Sequence, residues 1–386
     1  MADNLSDINE ILDSLTTSGN MRTLINSQMQ GVNVRVNGVD YLNFSSNDYL
    51  GVAADTALQQ EFIAQQNFSS EFLLSNSSSR LMTGNSYYDE LEAELEKFYS
   101  GKRALVLGSG FLTNLGVLPA VCTAKDLIVA DKLVHASIID GVKLAQCQVE
   151  RFRHNDLNHL EKILSKHRAN YRRVFIVTES LFSMDGDMAP LRELVEMKER
   201  FDCLLYVDEA HAFGVYGNRG AGLAAEAGLD SKVDFIVATF GKALASQGAV
   251  VLCNQTWYKL LVNKMRTLIF STALPPLSLK WTKFLIETSE RLDPNRQQLF
   301  RLMQFVENVS ETKIHSQIFP VMVGDSIRAV ELTNKLRESG FWVMPIRRPT
   351  VPPGTERLRI SLSAAITCEQ MEQFFNTLKT LWNNIG

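Results

Sequence analysis

The sequence predicts an α/β protein: a mainly parallel central sheet with helices on both faces, plus a smaller C-terminal α+β domain. Short apolar runs at Ala104–Leu107, Leu127–Ala130, Val174–Val177, Leu204–Val207, Phe235–Ala238 and Ala249–Leu252 alternate with charged, helix-compatible stretches. Their apolarity is continuous rather than alternating, which is the pattern of strands covered on both faces. Beyond about residue 280 the chain changes character. A charge-rich helical stretch, Phe284–Phe305, precedes the strand-like pieces Phe319–Val323 and Leu358–Leu362.

The elements follow in order. Ile8, Ile11, Leu12 and Leu15 have the spacing of an amphipathic helix, expected as part of an arm over 1–45 that packs on the rest. Leu91, Leu95 and Phe98 recur at helical spacing behind a cap at Ser86, and the run Ala104–Leu107 then reads as a buried strand. The remaining runs extend this alternation through a large domain over 46–280, and the small domain occupies 281–386. No internal repeat is present, which excludes a solenoid.

Composition narrows the function classes. With 39 basic and 43 acidic residues the net charge is −4, so neither nucleic acid nor an anionic membrane is the expected partner, and a small molecule is. The five cysteines never form a CxxC pair and read as reduced thiols, without a disulfide framework or metal site. Acids stand at the N-terminus where a secretory leader carries Lys or Arg, and no apolar run reaches membrane-spanning length. A cytoplasmic protein is expected.

In parallel α/β sheets the chemistry collects beyond the carboxyl ends of strands. Asp208-Glu-Ala-His211 follows Leu204–Val207, and Thr239-Phe-Gly-Lys242 follows Phe235–Ala238. Singly, such residues are more often a helix cap and a solvated lysine. Together they supply a Schiff-base amine and an acid able to keep a pyridine nitrogen protonated, which is what pyridoxal 5'-phosphate (PLP) requires. Gly108-Ser-Gly-Phe111 lies between a strand and a helix, where backbone donors can hold a phosphate; its plain reading is a tight turn. A dinucleotide fingerprint fails there, because Thr113 stands where the last glycine belongs. His135 follows another strand and is placed to lie on an aromatic cofactor, while His154, His159, His167 and His315 read as surface or local hydrogen-bonding residues. Arg347, Arg348, Arg357 and Arg359 concentrate guanidinium groups suited to carboxylates, or simply make a solvated basic face.

Asn43-Phe-Ser-Ser-Asn-Asp-Tyr-Leu-Gly51, Ser109-Gly-Phe111, Phe182-Ser-Met-Asp-Gly186, Val207-Asp-Glu-Ala-His211, Thr239-Phe-Gly-Lys242 and Ser271-Thr272 together resemble the α-oxoamine synthases, fold-type I PLP-dependent transferases. Arg151-Phe-Arg-His-Asn-Asp156, Ile346–Gly354 and Arg357-Leu-Arg-Ile360 are similar to the branch that condenses L-alanine with a pimeloyl thioester, on CoA or a carrier protein. That branch releases 8-amino-7-oxononanoate, CO2 and free thiol in biotin synthesis. The resemblance makes Lys242 the lysine that bonds PLP, Asp208 the partner of its pyridine nitrogen, His211 a donor to its phenolic oxygen and His135 the stacking ring. Ser109, Gly110, Phe111, Ser183 and Thr239 would hold the cofactor. Ser271 and Thr272 would reach the phosphate in a neighbouring subunit, implying a homodimer with a shared active site.

For substrate, the resemblance assigns Asn47 and Arg359 to the amino-acid carboxylate and Thr350 to the acyl group. Ungapped matching from Tyr41 places Met21 at the family's N-terminal arginine, so the adjacent Arg22 takes that role. Ser77-Ser-Ser-Arg80 departs from a glycine-rich form in some relatives and leaves the amino acid open. A sibling joining glycine to acetyl-CoA would share every catalytic residue. A non-catalytic partner subunit of the same fold usually lacks the lysine that is present here.

Overall fold

The computed structural model describes residues 5–66, 73–84, 86–99, 101–310 and 312–383. They cluster into two compact units. The larger comprises Asp55–Ser183 and Asp187–Arg296; the other comprises the described residues up to Ala54, Met184–Gly186, and the chain from Gln297. The N-terminal segment and the chain from Gln297 fall in one unit, and hydrogen bonding explains why. Strand Val39–Asn43 pairs in parallel with Phe341–Trp342, which ties the N-terminal segment into the C-terminal unit.

The larger unit is built on a seven-stranded sheet of β1 (Arg103–Leu107), β2 (Asp126–Asp131), β3 (Gln148–Phe152), β4 (Arg173–Glu179), β5 (Leu204–Asp208), β6 (Phe235–Thr239) and β7 (Ala249–Cys253), in the order β1-β7-β6-β5-β4-β2-β3. Strands β6, β5, β4, β2 and β3 are mutually parallel, whereas β7 runs antiparallel to both β1 and β6. Each apolar run of the sequence forms the interior of one strand. Val174, Phe175, Ile176 and Val177 are fully buried, as are Val106, Leu127 and Leu205. Covering helices such as Gly110–Val121 and Leu191–Arg200 supply the other half of that burial.

The second unit holds a four-stranded sheet of Ser27–Gln30, Asn33–Val36, Val39–Asn43 and Phe341–Trp342, and a three-stranded antiparallel sheet of Ile318–Met322, Pro345–Ile346 and Arg357–Ser361. The helical stretch expected over Phe284–Phe305 is carried by two helices, Pro276–Glu287 and Asp293–Ser310, parted by a 3-10 turn at Ser289–Leu292. The N-terminal helix Ser6–Thr17 forms as expected. None of its residues is buried, and Ile11 is 59% exposed. Among the described residues no helix is long and apolar enough to cross a membrane.

Candidate active site

Asp208 closes β5 and is 3% exposed, so its oxygens must find donors within the fold. Oδ2 accepts from Asn114 Nδ2 at 2.7 Å, and Oδ1 accepts the Ala210 N–H at 2.8 Å. The Asn114 amide has only one workable orientation. Tyr206 donates its hydroxyl to Asn114 Oδ1 at 2.6 Å, which turns Nδ2 toward Asp208 and, at 3.0 Å, toward Ser137 Oγ. Burial, and then the charge of Asp208, push the Tyr206 phenol well above its ordinary pKa, so it remains a donor.

The network continues to His135. Its Nδ1 lies 2.7 Å from Ser137 Oγ and accepts the Ser137 N–H at 3.2 Å, capping the helix Ala136–Leu144. An accepting Nδ1 leaves the proton of a neutral ring on Nε2. Burial lowers the His135 pKa, with Asp208 opposing and Lys242 adding to the effect. The result is a neutral imidazole whose plane is set by its own helix.

β6 delivers the amine. Beyond Thr239, Lys242 Nζ lies 2.7 Å from Nε2 of the buried His211. Thr239 Oγ1 donates to the Gly248 carbonyl at 3.2 Å, and a Cβ on Gly110 would come to 3.4 Å from Thr239 Cβ. Thr239 therefore borders the start of the helix Gly110–Val121. Ser109 caps that helix, its Oγ accepting the Leu112 N–H at 3.2 Å, and Phe111 follows, 46% exposed. A helix start of this kind attracts anions.

Glu209 has a different task from its neighbours Asp208 and His211. It is fully buried and accepts from Ser180 Oγ at 2.7 Å, Leu223 N–H at 3.0 Å and Ala224 N–H at 2.7 Å. Burial raises its pKa to about 7 against the lowering effect of those hydrogen bonds. Gly222 makes the approach possible. Its φ is +95°, and a Cβ there would lie 2.8 Å from Glu209 Oε2.

Ser183 is nearly buried in a turn closed by Phe182 N–H donating to the Asp187 carbonyl at 2.9 Å. His154 clamps this turn to β2. Nδ1 is 3.0 Å from Asp131 Oδ1, Nε2 is 2.7 Å from Asp187 Oδ2, and the ring meets Phe182 edge-on at 4.4 Å between centroids. Burial works against charging the ring, yet the hydrogen bonds to Asp131 and Asp187 outweigh it and raise His154 to about 10. His154 is thus a half-buried cation joining two elements, a hydrogen-bonding histidine rather than a surface one.

The other site candidates of the larger unit, Ser271 and Thr272, lie on the turn between helices Arg266–Ile269 and Pro276–Glu287. Thr272 is exposed and forms an antiparallel bridge with Ser79. In the second unit Arg359 Nη1 donates to Asn47 Oδ1 at 3.1 Å and Ser361 Oγ at 2.6 Å, and Nη2 donates to Tyr49 OH at 3.4 Å. Arg22 Nη2 donates to Thr350 Oγ1 at 3.3 Å, both side chains being exposed. Arg357 serves the fold, holding Asp185 and the Thr355 carbonyl.

The structure thus gathers His135, Asp208, His211, Thr239 and Lys242 with the helix start Ser109–Phe111 in one unit, and pairs Asn47 with Arg359 and Arg22 with Thr350 in the other. Asn114, Ser137 and Tyr206 were not singled out from sequence. They sit on separate elements and read as ordinary helix and core residues.

Comparison with known proteins agrees with this layout. The aminotransferase class I and II family model matches residues 39–378. An 8-amino-7-oxononanoate synthase from Haemophilus ducreyi is 47% identical over 373 residues, covering 93% of this chain and 96% of that protein. A serine palmitoyltransferase from S. paucimobilis, solved with PLP and myriocin bound, superposes with a TM-score of 0.88 at 26% identity over 100% of this chain and 99% of that one. The 8-amino-7-oxononanoate synthase of Francisella tularensis superposes with a TM-score of 0.72 at 28% identity, covering 89% and 98%. With one model accounting for nearly the whole chain, and a relative nearly half identical along almost its full length, this protein belongs to the aminotransferase class I and II family, on its α-oxoamine synthase branch.

Proposed function

We propose that this protein uses PLP to condense L-alanine with a pimeloyl thioester, releasing CO2 and free thiol and forming 8-amino-7-oxononanoate. The observation that carries the choice of reaction is the 47% identity to the Haemophilus ducreyi synthase, against 26% to a serine palmitoyltransferase of the same fold. The buried donor set fits the cofactor. It offers an amine beside an imidazole, a carboxylate already aligned by an amide, and a hydroxyl-capped helix start for a phosphate.

Bound PLP supplies an electron sink for charge developing at the Cα of the amino acid. The protein's own contribution is orientation and proton handling. Lys242 would carry the cofactor and hold the Cα proton at Nζ, and His211, whose Nε2 lies 2.7 Å from that amine, would donate to the cofactor's phenolic oxygen. Asp208, fixed by Asn114 and Ala210, presents its remaining lone pairs to a protonated pyridine nitrogen. His135 would lie against the ring as a neutral imidazole, and Ser109, Gly110, Phe111, Ser183 and Thr239 would hold the rest of the cofactor. Asn47 and Arg359 bind the amino-acid carboxylate, while Arg22 and Thr350 contact the acyl chain.

The protein acts as a homodimer in which Ser271 and Thr272 complete the neighbour's phosphate site. Exposed apolar side chains on the segments near their bridge support this reading: Leu74 is 70% exposed, Met82 77% and Phe270 71%. The test of the reaction is thiol release from pimeloyl-CoA, and separately from pimeloyl-carrier protein, with L-alanine, glycine or L-serine at equal concentration. Alanine-dependent release from either donor is expected. Release with glycine or serine but not alanine would overturn the substrate assignment.

A further inference from the structure

Glu179 closes β4 as Asp208 closes β5, and it has no place in the reading above. It is 2% exposed and is the register partner of Asp208. Register partners on neighbouring strands carry their side chains to the same face, about 5 Å apart. Asp208 has donors on both oxygens. Glu179 has one, the backbone N–H of His135, and its Oε1 has no hydrogen-bond partner among the described residues. Burial pushes the Glu179 carboxyl well above the usual range; the charges of Asp208 and Asp131 add to this, while Lys242 and the His135 N–H oppose it. Two carboxylates side by side in an apolar setting do not both ionise readily, and Asp208 is the one already supplied with donors. Glu179 is then a neutral acid whose proton sits on the oxygen that accepts nothing. A buried donor without an acceptor is rare in a finished structure and marks a place that a ligand completes.

We propose that Glu179 is a further ligand-binding residue of this site, donating a hydrogen bond from Oε1 to an anionic oxygen of the bound molecule. This rests on the reading of the site as a PLP site. The acceptor belongs either to the cofactor or to the amino acid, and a carboxylate or phenolate oxygen would serve equally.

The test uses full-length protein carrying Glu179→Gln or Glu179→Met. Gln keeps a donor and an acceptor of the same shape but cannot ionise; Met fills the volume with neither. Dissociation constants are measured by absorbance titration for PLP, 3-O-methyl-PLP and pyridoxal, and for L-alanine and L-alaninamide on the PLP-loaded protein. Melting of the cofactor-free variants checks folding. Glu179→Gln should bind within about twofold of wild type, and Glu179→Met should weaken one ligand by about tenfold to a hundredfold, the range for one hydrogen bond to a charged group.

The weakening should vanish with the probe in which the contacted oxygen is no longer anionic, alaninamide for the amino acid or the methyl ether for the cofactor phenolate, and should persist with pyridoxal, which keeps the phenolate. Equal weakening across all probes would assign Glu179 to packing and overturn the proposal. Loss in Gln as large as in Met would mean that a charge is needed, and binding unchanged in both would mean that it touches nothing; either sinks the idea. Wild-type protein that fails to bind PLP would overturn the parent reading as well, which separates the two failures.

Discussion

His154→Ala tests the clamp between β2 and the turn that carries Ser183. In the folded protein the pKa of His154 is raised from 6.5 to about 10. At about 1.4 kcal/mol per unit, that difference bounds the contribution of the charged ring at about 5 kcal/mol. Truncation should lose less, because the carboxylates keep other donors. Asp131 retains the Leu133 and Asn155 backbone N–H groups at 2.8 and 2.9 Å, and Asp187 retains Asn155 Nδ2 at 2.8 Å. About 3 kcal/mol is expected, the lower end for breaking a buried pair. The sign with pH follows from a folded pKa above the unfolded one. The contribution is complete below about 6.5 and is lost as pH rises through about 10. Urea unfolding of wild type and variant, followed by tryptophan fluorescence at pH 6, 8 and 10.5, should show a gap that shrinks by more than half at the highest pH. A gap below about 1 kcal/mol at pH 6, or one unchanged at 10.5, would refute a charged clamp.

Other substitutions probe the site itself. Lys242→Ala should still bind PLP, but borohydride treatment followed by mass spectrometry should find no cofactor fixed to the chain; adduct at another lysine would displace Lys242 from its role. Asp208→Asn should retain the cofactor and lose turnover by about a hundredfold or more, as for removal of one preorganised electrostatic partner, and near-normal turnover would remove Asp208 from the mechanism. Gly222→Ala places a methyl against Glu209 Oε2 in a left-handed backbone. It should destabilise the protein by about 1–3 kcal/mol in the same urea assay.

The sequence was most readable where one physical demand dominates. Strands buried on both faces must be apolar throughout, so β1, β2 and β4 to β7 stood out as runs. β3 did not, because only Phe152 of Gln148-Val-Glu-Arg-Phe152 is buried and its polar residues are exposed or half-buried, whereas β1, at the other edge, is buried from Ala104 to Leu107. Asp208 and Lys242 were legible for the same reason as the strands, being polar groups placed immediately beyond apolar ones. Asn114 and Tyr206 were not, since their roles arise only when a helix position and a strand interior come within 2.6 Å of each other. Glu179 offered the same local signal as Asp208, and only the register of β4 on β5 sets it apart. The stripe on Ser6–Thr17 announced a helix correctly, but amphipathicity says which face is apolar and not what covers it.

The hidden acid Glu209 also leaves a mark on the heat of unfolding. Its folded pKa of about 7 stands above the 4.5 of a free glutamate, so at pH 6 the native chain binds a proton there that the unfolded chain gives up. Its contribution is complete below about pH 4.5 and fades as pH rises through 7, a swing of about 3 kcal/mol. Calorimetry near pH 6 will therefore record the ionisation enthalpy of whichever buffer accepts that proton. Melting enthalpies taken in phosphate and in an amine buffer should differ by the gap between the two buffers' ionisation enthalpies for each proton released, the one from this carboxyl at the head of a short helix among them.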